Sequence, residues 1–235
     1  MGWYNNGSKG FAIQYGQGKK EGIMEAMHKI YSDRDEQIHL KILPGHFVTT
    51  QSHVTHYLDM TTNKSRCSEA QRIADVLASA YGSSTLIDSI VCLDSTEVIG
   101  SFLSEKLTRS GVISMNAHHT MYIVSPEIIQ NGQLVFRDNN QFMIRDKNIL
   151  ILAGSITTGN TLTNTINSLL YYGGHITGVA AIFSAVSKVA DMPIHSVFSG
   201  KDIPGYMTYS SHNCPLCKKG VKVDGIVSGF GYSKI

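Results

Sequence analysis

The segment that most constrains this 235-residue chain is Asn148-Ile149-Leu150-Ile151-Leu152, an apolar run with no polar interruption after its first residue. A strand with one wet face alternates apolar and polar residues, so this run predicts a strand buried on both faces of a parallel sheet. A polar stretch follows: Ala153-Gly154-Ser155-Ile156-Thr157-Thr158-Gly159-Asn160-Thr161. The spacing of Leu162, Ile166, Leu169 and Leu170 then predicts a helix over 160–171, closed by Gly173-Gly174. Residues 176–183 form a second buried strand. A strand at 89–93 and a helix at 96–109 repeat the pattern, with Asp94-Ser95-Thr96-Glu97 opening the helix. Recurrent strand–helix–strand units specify an α/β fold with a parallel sheet and right-handed crossovers.

Chemistry concentrates in the stretch after the apolar strand. Free backbone N–H groups and the dipole at a helix N-terminus favour a phosphate dianion. Gly159 lets the backbone approach closely, and Thr157, Thr158 and Thr161 add hydroxyl donors. Three threonines and two glycines in nine residues exceed what a cap requires. The spacing Gly154-x4-Gly159-Asn160-Thr161 is one residue from a nucleotide-triphosphate loop, with Asn160 in the lysine position. Without that lysine, and without a later apolar run ending in Asp, a triphosphatase is disfavoured.

The remaining segments frame this unit. Residues 1–20 read as an irregular arm, and Ile23, Met24, Met27 and Ile30 predict an amphipathic helix over 21–31. A strand at 38–43 is broken by Pro44-Gly45, beyond which 47–50 and 57–60 are expected to pair. Ser68 and Gln71 form a capping box for a helix bearing Ile73, Val76, Leu77 and Ala80, stopped near Gly82. Short strands are expected at 120–124 and 134–136, and 138–147 reads as a tight hairpin turning at Asn139-Asn140. The resulting division is an N-terminal arm and hood segment (1–68), an α/β core (69–205) and a C-terminal tail (206–235).

Composition narrows the function classes. Hydrophobic residues reach 42%, enough for a substantial core, and 20 basic against 18 acidic residues leave a net charge of +2. That balance argues against nucleic-acid binding through bulk charge. No apolar run approaches the ~18 residues of a membrane span. The first residues hold no secretory apolar segment, and Asn6 occupies the Ser/Thr position of a myristoylation signal, so a cytoplasmic chain without membrane partners is expected.

The apolar strand followed by Ile156-Thr157-Thr158-Gly159-Asn160-Thr161-Leu162 resembles the signature of type I phosphoribosyltransferases, and within them of the orotate phosphoribosyltransferases. Gly45-His46-Phe47-Val48-Thr49-Thr50 through Tyr57-Leu58-Asp59 is similar to the segment that opens the orotate enzymes. The tail Cys214-Pro215-Leu216-Cys217-Lys218-Lys219-Gly220 is carried by some members too. The resemblance implies a parallel sheet flanked by helices with a small hood, and a homodimer. It also implies transfer of phosphoribose from phosphoribosyl pyrophosphate (PRPP), with Mg²⁺, to a pyrimidine-type base, giving a nucleotide and pyrophosphate. It places phosphate on Thr157 to Thr161, the ribose and pyrophosphate beside Ala153, Gly154 and Ser155, and the base near Thr50, Gln51 and Tyr57.

The sequence departs from that pattern where the chemistry is charged. The family's paired ribose carboxylates fall on Ala153 and Gly154, its orotate-segment lysine on Thr50, and no long lysine-bearing loop fits 138–147. A hydrogen bond to a charged group contributes about 1.5–3 kcal/mol. Removing one preorganised electrostatic group costs roughly 10²–10³ in rate. The phosphate cradle survives while the catalytic end is degraded, which leaves a non-catalytic nucleotide sensor on the same fold as the alternative to a transferase. Asp94, Ser95, Thr96 and Glu97 occupy the pyrophosphate position; either Asp94 and Glu97 cap the following helix, or they replace the missing carboxylates from another direction.

His212-x-Cys214-x2-Cys217 supplies three ligand types suited to a structural Zn²⁺, with Cys67, His46 or a second subunit as sources of a fourth. A metal-free thiol knuckle is the other reading of that tail. His53, His56 and the pair His118-His119 read as surface or hydrogen-bonded histidines, and Cys92 as core.

Overall fold

A five-strand parallel ribbon organises the molecule. The computed structural model describes residues 27–82, 84–109, 114–117, 120–129 and 133–235. The chain opens with β1 (His28–Ser32), β2 (Asp35–Val48) and β3 (Ser52–Asp59), followed by α1 (Thr61–Ser65) and α2 (Cys67–Ala78). The α/β part contains β4 (Ser89–Cys92), α3 (Glu97–Thr108), β5 (Tyr122–Val124), the small pair β6 (Glu127–Ile128) and β7 (Leu134–Val135), and α4 (Asp138–Gln141). It continues with β8 (Asn148–Ile156), α5 (Asn160–Tyr171), β9 (His175–Ser184), β10 (Lys188–Val189) and β11 (Met192–Ser199). The tail holds β12 (Thr208–Ser210), α6 (Pro215–Lys218), β13 (Gly225–Ser228) and β14 (Gly231–Lys234).

Strands β5, β4, β8, β9 and β11 lie side by side and run parallel, with β10 added antiparallel at the β11 edge. Both faces are covered at the centre, which is why β4 and β8 are apolar and buried along most of their length. Leu150 and Leu152 join a core with α2 and α3, whereas Ile149, Ile151 and Ala153 face a second core with Leu162, Ile166 and Leu169 of α5. The α/β class with a parallel, helix-flanked sheet is as the sequence implies.

The second sheet, the hood, has order β12-β3-β2-β13-β14 with β1 also on β2. It joins chain segments from both ends of the sequence. Its own core is Phe47, Val54, Tyr57 and Val227, with Tyr232 packed against it. Phe47 and Tyr232 meet edge to face at 5.6 Å, and Tyr57 and Tyr232 lie 5.2 Å apart.

Several local expectations are corrected. Residues 28–32 form a strand rather than the end of a helix, because they zip onto β2 with Ile30 opposite Leu40; pairing with a long neighbour outweighs a weak helical spacing. The first part of that expected helix, and the arm before it, lie outside the described residues, as do His118-His119. Pro44-Gly45 does not end its strand. The pairing shifts register between Pro44 and Phe47, and a bulge accommodates a residue without an N–H. Tyr57 therefore pairs with Leu43, and Phe47 with Val54. Helix α2 begins at Cys67 with Arg66 as N-cap and no side-chain cap, so the Ser68–Gln71 box is absent. Residues 138–147 are a helical turn, α4, followed by a loop, and β7 pairs with β6 rather than with β8. Among the described residues, no helix is long and apolar enough to cross a membrane.

Candidate functional site

Chain order along the parallel ribbon reverses between β4 and β8. Loops leaving the carboxyl ends of two such strands diverge in opposite directions and open a crevice, the usual ligand position in open α/β sheets. Here the crevice is small, about 40 Å³, room for a few water molecules. Asp94, Gly154 and Ser155 form its sheet side; Tyr57, Met60 and Lys64 wall it from the hood and α1. The turn Ser228-Gly229-Phe230-Gly231 between β13 and β14 covers it.

Asp94 and Ser95 leave β4 with φ of 56° and 61°. Left-handed conformations at two consecutive non-glycine residues cost about 1–3 kcal/mol each and concentrate at functional turns. The turn is anchored by Thr96, fully buried, whose Oγ1 donates to the carbonyls of Leu93 (2.8 Å) and Leu152 (3.1 Å). That hydroxyl ties the ends of β4 and β8 together.

Lys64 spans the crevice. Its Nζ donates to the carbonyl oxygens of Asp94 (2.8 Å) and Gly229 (2.6 Å), so α1, the β4 turn and the tail hairpin share one cation. Burial pushes the Lys64 ammonium below its ordinary value, against the opposing pull of Asp94, Glu97 and Asp59. Burial likewise pushes the Asp94 carboxyl up, opposed by the N–H of Ser155, by Lys64 and by the N–H of Gly154. The hairpin approaches so closely that a Cβ on Gly229 would stand 2.6 Å from Asp94 Oδ1. Burial, with Asp59 and Tyr232 adding to it, pushes the Tyr57 phenol up to about 12, so it faces the crevice neutral.

The turn Thr157-Thr158-Gly159 lies one step beyond. β8 runs on through Ile156, with Ala153 opposite Ala181, Ser155 opposite Phe183 and Ile156 opposite Ser184. The nine-residue stretch expected as a loop is thus strand up to Ile156, and the turn is only Thr157-Thr158-Gly159, because β9 offers partners to the end of β8. Gly159 is the N-cap of α5 with φ of 84°, a left-handed conformation that glycine adopts without penalty. Thr158, Asn160 and Thr161 are exposed, and the first-turn N–H groups of α5 have no partner within the helix. Val189 of β10 packs on the turn, since a Cβ on Gly159 would lie 2.5 Å from its Cγ2.

The structure distributes the remaining sequence-derived residues unevenly. Ala153 is buried in β8 beneath the crevice. Thr96 is the N-cap of α3 but makes no side-chain cap, and Asp94 turns toward Ser155 N (3.5 Å) instead of the helix, so the capping reading of Asp94 and Glu97 is not what forms. Glu97 accepts from Ser125 Oγ at 2.5 Å. Thr50 and Gln51 occupy the exposed β2–β3 turn, six strand residues or roughly 20 Å from Tyr57, and do not line the crevice. Lys64 and the Gly229 turn carry no motif or periodicity in the sequence. Nothing local marks them, because their role arises only when α1 and the tail meet the β4 turn.

A separate cluster joins the hood to the tail. Ligand atoms of His46, His53, Cys214 and Cys217 all lie within 4.8 Å of one another. His46, one of the expected sources of a fourth ligand, is in the group; His212 is exposed and outside it, as is Cys67, and His53, expected as a surface or hydrogen-bonded histidine, stands in the place of His212.

No family model matches the chain. Among solved structures, it is similar to UMP synthase of Leishmania donovani (14% identity, TM-score 0.49), a match over 67% of this chain but only a third, 33%, of that one. It is similar also to orotate phosphoribosyltransferase of Aeropyrum pernix (14% identity, 68% and 88% of the two chains, TM-score 0.47). Adenine phosphoribosyltransferase of Thermoanaerobacter pseudethanolicus matches at 13% identity over 75% and 97%, with TM-score 0.47. Each of these likenesses is one of fold, at 13–14% identity.

Proposed function

We propose that the chain binds a ribose 5-phosphate group, as PRPP or as a nucleotide, with its phosphate on Thr157 to Thr161 and its ribose toward the crevice between β4 and β8. The observation carrying this reading is Gly159. A left-handed glycine N-cap ends a switch-point strand and leaves the exposed first turn of α5 open to an anion. Transfer of phosphoribose to a base with Mg²⁺ is the corresponding enzyme activity, and orotate and adenine are both candidate acceptors. A homodimer belongs to the same reading, and light scattering tests it.

One observation favours a binding or sensing role over turnover. Among the described residues, Asp94 is the one carboxylate lining the crevice, and the tail hairpin fills space that a nucleotide needs, since ligand pockets usually measure about 300–1,000 Å³. Entry of a ribose therefore requires the Ser228–Gly231 turn to move off Lys64. Incubation with PRPP, Mg²⁺ and orotate, uracil, adenine or hypoxanthine should be read by pyrophosphate release, beside thermal-shift titrations with UMP, AMP and ribose 5-phosphate. Release with any base establishes a transferase. Stabilisation by a monophosphate without release supports the sensor, and no response to any phosphorylated ribose rejects both.

A further inference from the structure

We infer that His46, His53, Cys214 and Cys217 bind one structural Zn²⁺, and that this ion fastens the C-terminal tail to the hood and so holds the hairpin over the crevice. The proposal is independent of the ribose-phosphate reading.

The distances suit a tetrahedral ion. Zn–S and Zn–N bonds of about 2.3 and 2.0 Å in a tetrahedron separate neighbouring ligand atoms by roughly 3.3–3.8 Å. The observed separations are 3.5 Å for Cys214 Sγ to His46 Nε2, 3.7 Å for Cys217 Sγ to His46 Nε2, and 3.3 Å for Cys217 Sγ to His53 Nδ1. His46 Nε2 and His53 Nδ1 are 2.9 Å apart, a few tenths short of that range. Neither cysteine is in a disulfide. Two thiolates and two imidazoles form a borderline-soft set that suits zinc over oxygen-loving cations, and four protein ligands leave no open position for substrate.

The surroundings are built for ligation. The other ring nitrogen of His46, Nδ1, is 3.0 Å from the carbonyl of Val221. Donation there fixes the tautomer and leaves the Nε2 lone pair facing the sulfurs, the arrangement usual for metal-bound histidine. His46 is fully buried and its backbone is clasped by Asp224, whose Oδ2 accepts from His46 N (2.8 Å) and whose N donates to His46 O (2.8 Å). Beyond Asp224 the hairpin holds β2 through only two registered residue pairs, Gly225–Phe47 and Ile226–Val48. Such a short parallel contact fixes the tail weakly by itself, whereas a shared ion links residues 168 positions apart in the chain.

The test uses the full-length chain purified under reducing conditions. Elemental analysis should give about one zinc per chain. Cobalt substitution should give the intense visible bands of tetrahedral Co²⁺ with thiolate charge transfer. Cys217→Ser and His53→Gln, at exposed and half-exposed sites, should weaken zinc retention at least tenfold while circular dichroism stays unchanged; His212→Ala should bind as wild type. On zinc removal, amide exchange across 225–234 should accelerate. Failure to take up Zn²⁺ or Co²⁺, or equal retention by Cys217→Ser and His53→Gln, overturns the site. Unchanged exchange in the stripped protein overturns the anchoring role.

Discussion

Replacing Gly159 by alanine tests the phosphate turn most directly, because two costs can be separated. At a φ of 84° an alanine occupies the left-handed region, at about 1–2 kcal/mol. Its Cβ would also stand 2.5 Å from Val189 Cγ2, and relieving such overpacking costs about 1–3 kcal/mol. Urea unfolding should therefore show Gly159→Ala destabilised by about 2–5 kcal/mol. Val189→Ala removes the colliding methyl, so the double variant should recover the steric part alone, a coupling of about 1–3 kcal/mol, and keep the backbone part. Binding is expected to follow the backbone. Titrated with UMP, AMP or ribose 5-phosphate, the double variant stays folded yet binds weakly, because to whatever extent the turn relaxes from the left-handed φ, the N–H groups of the first turn of α5 no longer converge. Wild-type unfolding of Gly159→Ala would refute the conformational argument; wild-type affinity in the folded double variant would refute the cradle.

Three further outcomes are expected. Thr96→Val, nearly isosteric, removes the two hydrogen bonds that tie β4 to β8 and should cost about 1–2 kcal/mol in urea unfolding. Lys64→Met breaks the link between the Asp94 and Gly229 carbonyls, and hydrogen exchange at 228–231 should rise well above wild type while that of β8 is unchanged. The pH dependence has a defined sign. Because burial raises the Asp94 pKa above 3.8, the folded chain retains a proton that the unfolded chain has lost, and stability falls as pH rises from 3.8 through the raised value. Burial lowers the Lys64 pKa below 10.5, so stability rises with pH across that alkaline window. Urea midpoints against pH should lose the acid-side slope in Asp94→Asn and keep the alkaline one; an unaltered acid-side slope would contradict the assignment.

The tail hairpin bears on the proposed function through access as well as chemistry. On the proposed ribose-phosphate reading, the absence of carboxylates at Ala153 and Gly154 would limit rate, and the turn seated on Lys64 would limit entry. The first bears on chemistry and the second on binding. Phe230 at its tip is 94% exposed and contributes little packing, so the turn is held chiefly by the bond from Lys64 to the Gly229 carbonyl. A ligand that replaces the Gly229 carbonyl on Lys64 with a phosphate or ribose oxygen would compensate for the contact it breaks.

The α/β core and the glycine turn that starts α5 are both legible in the amino-acid sequence alone. Runs such as 148–152 and 176–183 must be buried on both faces wherever they go, and a glycine before a helix acts through its own φ, so both are local properties. Only the tertiary structure decided how far β8 runs, because its last residues take their partners from β9. It also decided that 28–32 is a strand, that His53 rather than His212 joins His46 and the two cysteines, and that Lys64 and Gly229 close the crevice. Each of these depends on segments far apart in the chain meeting at a few ångströms, and no periodicity or spacing within one segment encodes such a meeting.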